Sequence, residues 1–172
     1  MLKFLVLSLS IFAWFAQAQT FPSKIIKITV GFAPGGGSDF VARTLAQDLA
    51  TVIGQQVIID NKVGAGGGVA ARAVASSEAD GHTLLLGSAA NFVINPLLSK
   101  SLPYETSDFV SVAPVARFGY ALLVKKDLPF RSVTDLIAFA KQHPGELTVG
   151  SAGNGSNTHI VATSFMSSTG IL

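Results

Sequence analysis

Ile25-Ile-Lys-Ile-Thr-Val30 runs directly into Gly31-Phe-Ala-Pro-Gly-Gly-Gly37, an apolar stretch followed at once by a glycine-rich turn. The same succession returns three times. Residues 56–60 (QVIID) lead through Asn61-Lys-Val63 to Gly64-Ala-Gly-Gly-Gly68. Residues 83–86 (TLLL) lead to Gly87-Ser-Ala-Ala90, and residues 147–149 (LTV) lead to Gly150-Ser-Ala-Gly-Asn-Gly155. Short apolar runs bounded by turn residues read as buried strands of the kind found in parallel sheets.

The segments between these strands carry helical spacing. From residue 38 or 39 to 53, Val41, Leu45, Leu49 and Val52/Ile53 recur at intervals of three and four, and Gly54 is the C′ stop. Residues 69–77 predict a shorter, alanine-rich helix. Residues 132–142 predict another, with Ser132 as N-cap, Asp135 at the capping-box distance and Pro144-Gly145 ending it. Residues 158–168 predict a fourth. Strands alternating with helices at this spacing form βαβ units, hence an α/β fold. Residues 95–108 form a polar connection, and residues 118–124 (FGYALLV) predict a fresh strand beyond a segment boundary near 116–119.

The N-terminus follows a different logic. Lys3 supplies a positive n-region, residues 4–16 (FLVLSLSIFAWFA) an apolar stretch, and Ala16-Gln17-Ala18 a small-x-small cleavage pattern. Thirteen helical residues span about 20 Å, short of a ~30 Å bilayer core. Residues 1–18 therefore read as a signal peptide cleaved after Ala18, leaving an exported chain that is not itself membrane-spanning.

Composition narrows the chemistry. Of the 172 residues 13% are charged, with 12 Lys+Arg against 10 Asp+Glu and a net charge of +2. Typical domains carry about 25% charged residues. The one basic pair, Lys125-Lys126, is no electrostatic footprint for nucleic acid. A hydrophobic share of 49% argues against disorder, and the absence of cysteine removes disulfides, thiolate metal sites and cysteine nucleophiles.

Glycine between a strand and a helix lets the backbone approach a ligand and turn N–H groups toward it, while the helix N-terminus adds about half a positive charge. Such sites hold phosphate, sulfate or carboxylate. The competing reading is a set of tight turns. In an open α/β sheet the post-strand loops gather at the carboxyl edge, where ligands bind. No Gly-Lys pair exists for a P-loop. The dinucleotide fingerprint breaks at Phe40 in the first loop. The second loop fits its relaxed form, but the next strand ends in Gly87-Ser88 where an acid for the ribose belongs. A nucleophile elbow needs serine where Ala152 stands. His82, His143 and His159 are far apart, with no metal-ligand spacing. His82 and His143 read as surface residues, and His159 as a first-turn helix residue or a site residue. No catalytic residue, metal or cofactor is expected. What remains is an uncharged polar lining of Ser38, Ser88, Asn91, Ser151, Asn154, Ser156 and Thr158, with Asp39 as a first-turn dipole partner or cap.

In order and spacing, several motifs together carry a resemblance. They are Pro34-Gly-Gly-Gly-Ser-Asp39, Asp60-Asn-Lys-Val-Gly-Ala-Gly-Gly67, Asp80-Gly-His-Thr-Leu-Leu-Leu-Gly-Ser88, Asn95-Pro-Leu-Leu98, and Pro144-Gly-Glu-Leu-Thr-Val-Gly-Ser-Ala-Gly-Asn-Gly-Ser156 with His159. The chain resembles the tripartite tricarboxylate transporter substrate-binding proteins, also called the Bug or TctC-like extracytoplasmic solute receptors. The resemblance implies a fold like that of the type II periplasmic binding proteins, with two α/β domains around a cleft. Residues 19–116 would belong to the first domain and residues 117–172 would begin the second, both incomplete. It also implies a non-catalytic periplasmic receptor that captures a small carboxylate for integral-membrane transporter subunits; the carboxylate is a di- or tricarboxylate, an acidic amino acid or an aromatic acid. Carried over by motif, Phe32, Gly35, Gly36 and Ser38 line one side of the cleft, with Ser88 and Ala89 adding to it. Ser151, Gly153, Thr158 and His159 line the other. Two alternatives differ in class: a receptor presenting its ligand to a membrane sensor, and an exported α/β hydrolase. The chain stops a little past half the family's length, so the expectation is that residues 19–172 alone expose apolar surface and bind ligand poorly or not at all.

Overall fold

A computed structural model describes residues 20–171. The signal-peptide reading of residues 1–18 lies outside the described residues. Three strands, β1 (Ile26–Val30), β2 (Val57–Asn61) and β3 (Thr83–Leu86), form one parallel sheet in the order β2-β1-β3. Ile28 pairs with Ile59 on one side and Leu84 on the other. Being central explains the burial of β1: Ile26, Ile28, Thr29 and Val30 are buried and Lys27 alone is half-buried, whereas every residue of the flanking strands is half-buried.

Helix α1 (Gly37–Ile53) connects β1 to β2, and α2 (Gly68–Ala75) connects β2 to β3, completing two βαβ units. Ala42 of α1 meets Ile28 and Val30 in the core, with Leu45, Val57, Ile59, Leu84 and Leu86 packed around them. Full burial of a valine such as Val30 contributes roughly 1.5–3 kcal/mol. Gly54 ends α1 in the left-handed conformation, its N–H donating to the Ala50 carbonyl. The exit of β1 lies against the second glycine loop: a Cβ at Gly31 would stand 2.6 Å from the Gly67 Cα.

Among the described residues there are five α-helices. Beyond β3 they are α3 (Asn95–Leu98), α4 (Val133–Gln142) and α5 (Asn157–Thr169), with a π-helical turn over Ala90–Ile94 and a 3-10 turn over Thr106–Asp108. The turns at 95–98 and 106–108 occupy what the sequence predicted as a plain connection. Ser132 caps α4, its hydroxyl accepting from the Asp135 N–H at 3.1 Å.

Three expectations are corrected. Residues 147–149 and 118–124 are not strands: neither stretch has a ladder partner among the described residues, and Phe118, Tyr120, Leu122, Leu123, Val124 and Val149 are exposed. Apolar composition makes a strand only where a neighbour satisfies its N–H and C=O groups. His82 is buried, not a surface residue. Its carbonyl accepts from the Lys27 N–H at 2.7 Å, its Nε2 accepts from the Ser23 N–H at 3.2 Å, and the Phe21 ring lies 4.9 Å away. The segment entering β1 thus covers it. Beside it, Lys24 holds the Asp80 carboxyl well below the usual carboxylate range.

The expectation of exposed apolar surface agrees with the structure. Val110, Val112, Leu97 and Leu123 are each more than four-fifths exposed.

Candidate functional site

Because β1, β2 and β3 run parallel and in register at Val30, Asn61 and Leu86, the loops that follow them open at one edge of the sheet. That edge holds Phe32, Gly35, Gly36 and Ser38 from the first loop and Ser88 and Ala89 from the third. Phe32 and Ser38 are half-buried, while Gly35, Gly36 and Ala89 are exposed.

The first loop is held by three side chains. Asp39, in the first turn of α1, is buried, and its Oδ2 accepts from the Gly35 N–H and from Arg43 Nε, both at 2.9 Å. Asn61, the last residue of β2, donates from Nδ2 to Asp39 Oδ1 and to the Phe32 carbonyl, both at 3.0 Å. Arg43 also reaches the Asn61 Oδ1 at 3.2 Å. The Arg43 guanidinium, with the Gly35 N–H next in weight, holds the Asp39 carboxyl far below the usual carboxylate range. Asp39 is therefore an anion whose charge is already answered. Three residues before it, Gly36 caps α1 without a side chain, and the first helical bond runs from the Phe40 N–H to the Gly36 carbonyl. No side chain caps the N–H groups of residues 37–39, which stand at the positive end of a 17-residue helix. A Cβ at Gly35 or Gly37 would meet nothing within 4 Å, so the approach is open.

The second loop is closed. Asn91 Nδ2 donates to the Gly67 carbonyl at 3.0 Å, and Asn95 Nδ2 donates to the Ala65 and Gly66 carbonyls at 3.2 Å. Tyr104 Oη donates to the Asn91 carbonyl at 2.7 Å. Asn91, expected in the polar lining, is instead a buried strut. In the third loop Ser88 works locally: Asn91 Oδ1 accepts from its N–H at 3.1 Å, and its hydroxyl accepts from the Ala90 N–H at 3.2 Å.

The fourth loop, residues 150–156, is tied to the start of α5. Thr158 Oγ1 accepts from the Ala152 N–H at 2.9 Å and lies 3.1 Å from Ser156 Oγ. Ser151 Oγ accepts from Gly153 at 3.3 Å, and His159 Nδ1 accepts from Gly155 at 3.4 Å. Ser156, also expected in the lining, is buried as the N-cap of α5 and accepts from the His159 N–H. Ser151, Gly153, Thr158 and His159 are thus one connected unit.

The two groups of candidate residues are linked through glycines that lay outside both. A Cβ at Gly66 would stand 2.8 Å from the Gly155 carbonyl carbon and oxygen, so the second and fourth loops touch backbone to backbone. Sequence reasoning also missed Asn61, Arg43 and Tyr104. The signal for Asn61 was the Asp60-Asn61-Lys62 stretch, polar residues closing an apolar strand. Among the described residues no group of three or more His, Asp or Glu side chains gathers as a metal site, and no helix is long and apolar enough to cross a membrane.

Residues 41–172 match the tripartite tricarboxylate transporter family receptor, TctC. A UPF0065 protein of Bordetella pertussis is 41% identical over 145 residues, covering 84% of this chain and 45% of that protein. The structure of R. palustris Rpa4515 with adipate superposes with a TM-score of 0.80 at 36% identity, over 88% of this chain and 51% of that one. MatC from Rhodopseudomonas palustris with bound malate gives 0.77 at 30% identity, over 88% and 52%. The chain spans about half the length of the relatives it matches. On these grounds the chain belongs to the TctC family of tripartite tricarboxylate transporter receptors.

Proposed function

We propose that the carboxyl edge of the sheet holds one carboxylate of a small organic acid, and that the protein is a non-catalytic periplasmic receptor delivering that acid to integral-membrane transporter subunits. The observation that carries this reading is the N-terminus of α1: N–H groups without a capping side chain beside open glycines, with Asp39 neutralised by Arg43 and hydrogen-bonded by Asn61. Neutralising Asp39 matters because a free carboxylate at that position would repel the ligand. Phe32, Gly35, Gly36, Ser38, Ser88 and Ala89 form the first wall, and Ser151, Gly153, Thr158 and His159 the second. Gly35 contributes clearance, since its own N–H is taken by Asp39. Residues 19–116 build the first lobe and residues 117–172 open the second, after export directed by residues 1–18.

Similarity to structures described with adipate and with malate supports a dicarboxylate. Three or four hydrogen bonds to a charged carboxylate, at about 1.5–3 kcal/mol each, reach the roughly −8 kcal/mol of micromolar binding. The test is calorimetric titration with malate and adipate of this chain completed by the C-terminal half of the Bordetella pertussis relative. Micromolar binding of either acid supports the reading, and silence toward both, in a cooperatively folded protein, refutes it.

A further inference from the structure

Asn154-Gly155 is the chain's single Asn-Gly pair, and it lies in the fourth loop. The two residues are the centre of a turn closed by the Ser156 N–H donating to the Gly153 carbonyl at 3.1 Å, with Gly155 at φ 76°. Asn154 is exposed, and its amide has no hydrogen-bond partner among the described residues. Glycine leaves the following backbone nitrogen sterically open. That nitrogen's proton points at an imidazole: the Gly155 N–H donates to His159 Nδ1 at 3.4 Å. The bond fixes the tautomer, with the lone pair on Nδ1 and the proton on Nε2. A base on the proton to be abstracted is the arrangement general-base catalysis requires, and such contacts are commonly long before reaction.

We propose that Asn154 is a self-modification site, with His159 as the base that converts it through a succinimide to aspartate or isoaspartate. The Gly155 nitrogen gives its proton to His159 Nδ1 and bonds to the Asn154 side-chain carbonyl carbon, closing a five-membered imide. The bond from that carbon to Nδ2 breaks, and ammonia leaves carrying the proton back from the imidazolium. Water then adds to one of the two imide carbonyls and opens the ring. One water enters, one ammonia departs, and nothing is oxidised or reduced. On the receptor reading given above, the product places a new carboxylate in the second wall and weakens binding of an anionic ligand, so the reaction ages the receptor toward an inactive form.

The measurement is mass spectrometry of the completed chain, without residues 1–18, incubated at neutral pH, following the mass gain of amide-to-acid conversion at position 154. The folded chain should convert roughly tenfold faster than the same chain in guanidinium, below the ~10² to 10⁴ of a well-placed catalytic base. His159→Ala and His159→Gln should both fall to the unfolded rate, since glutamine keeps an acceptor but no base, and added imidazole should restore part of the rate to His159→Ala. Equal rates for folded and unfolded chain, or a wild-type rate in His159→Gln, would overturn the assignment. Asn154→Asp in the completed chain should weaken malate and adipate binding at least tenfold. Conversion at 154 in a protein that binds neither acid would leave the modification standing and remove the receptor reading.

Discussion

Asn91 fastens the second glycine loop to the third, and its replacement by leucine is the sharpest test of that architecture. The side chain is 1% exposed. Its Nδ2 satisfies the buried Gly67 carbonyl at 3.0 Å, and its Oδ1 satisfies the Ser88 N–H at 3.1 Å. Leucine fills a similar volume and supplies neither group. A buried polar atom stripped of its partner costs about 1–3 kcal/mol. The Gly67 carbonyl incurs that in full, and the half-buried Ser88 N–H incurs less because water reaches it. The expected loss is about 2–4 kcal/mol, read as a lowered urea midpoint by far-UV circular dichroism with an unchanged slope. Tyr104→Phe, which removes the 2.7 Å bond to the Asn91 carbonyl, should cost about 1 kcal/mol. Because both act on one strut, the double variant should lose less than the two singles together. A loss below about 0.5 kcal/mol for Asn91→Leu, within the range of ordinary surface substitutions, would show that the strut does not hold the loops.

Other perturbations read different parts of the frame. Gly66→Ala forces a side chain into a left-handed position at φ 58°, costing about 1–2 kcal/mol, and its methyl would push on Gly155; faster hydrogen exchange in residues 150–156 is the expected readout, and unchanged exchange there would count against the loop contact. The Asp39 carboxyl is depressed by Arg43 in the folded protein, so its contribution is present above the unfolded value near 4 and is lost as pH falls below it. Asp39→Asn should accordingly show a flatter decline of the urea midpoint between about pH 4 and 2, and an identical decline would remove Asp39 from the acid transition. Ser132→Ala should cost about 1 kcal/mol through loss of the α4 cap, and Ser132→Gly only a few tenths; equal costs would mean that the hydroxyl is not the capping group.

What the sequence made legible was whatever depends on neighbours along the chain. The run from Ile25 to Val30 reads as a buried strand because it is largely apolar and ends at a glycine-rich turn, and four of the five residues of β1 are buried. Gly54 and Ser132 announce a stop and a cap because each acts within one helical turn. The carboxyl-edge placement of Phe32, Gly36, Ser38 and Ser88 follows from parallel strands, which the alternation with helices implies. Long-range groups were not legible. Asn61 acts on Phe32 and Asp39, 29 and 22 residues away, and no local signal marks an amide as a clamp. Asn91 and Ser156 looked like lining because they are polar beside glycine loops, yet burial has turned both to the protein's own backbone. His82 lies beneath a segment some sixty residues earlier in the chain. Residues 118–124 have strand composition but no strand beside them among the described residues, and composition cannot report a missing partner.

The central claim is that the N-terminus of α1 receives the ligand's carboxylate. It is tested most directly by amide nitrogen–proton NMR of the completed chain titrated with malate. Saturable shifts should be largest at the N–H groups of Gly37, Ser38 and Asp39, with a second set at Thr158 and His159. Binding of malate that leaves those three amides unmoved would contradict the claim, whatever its affinity.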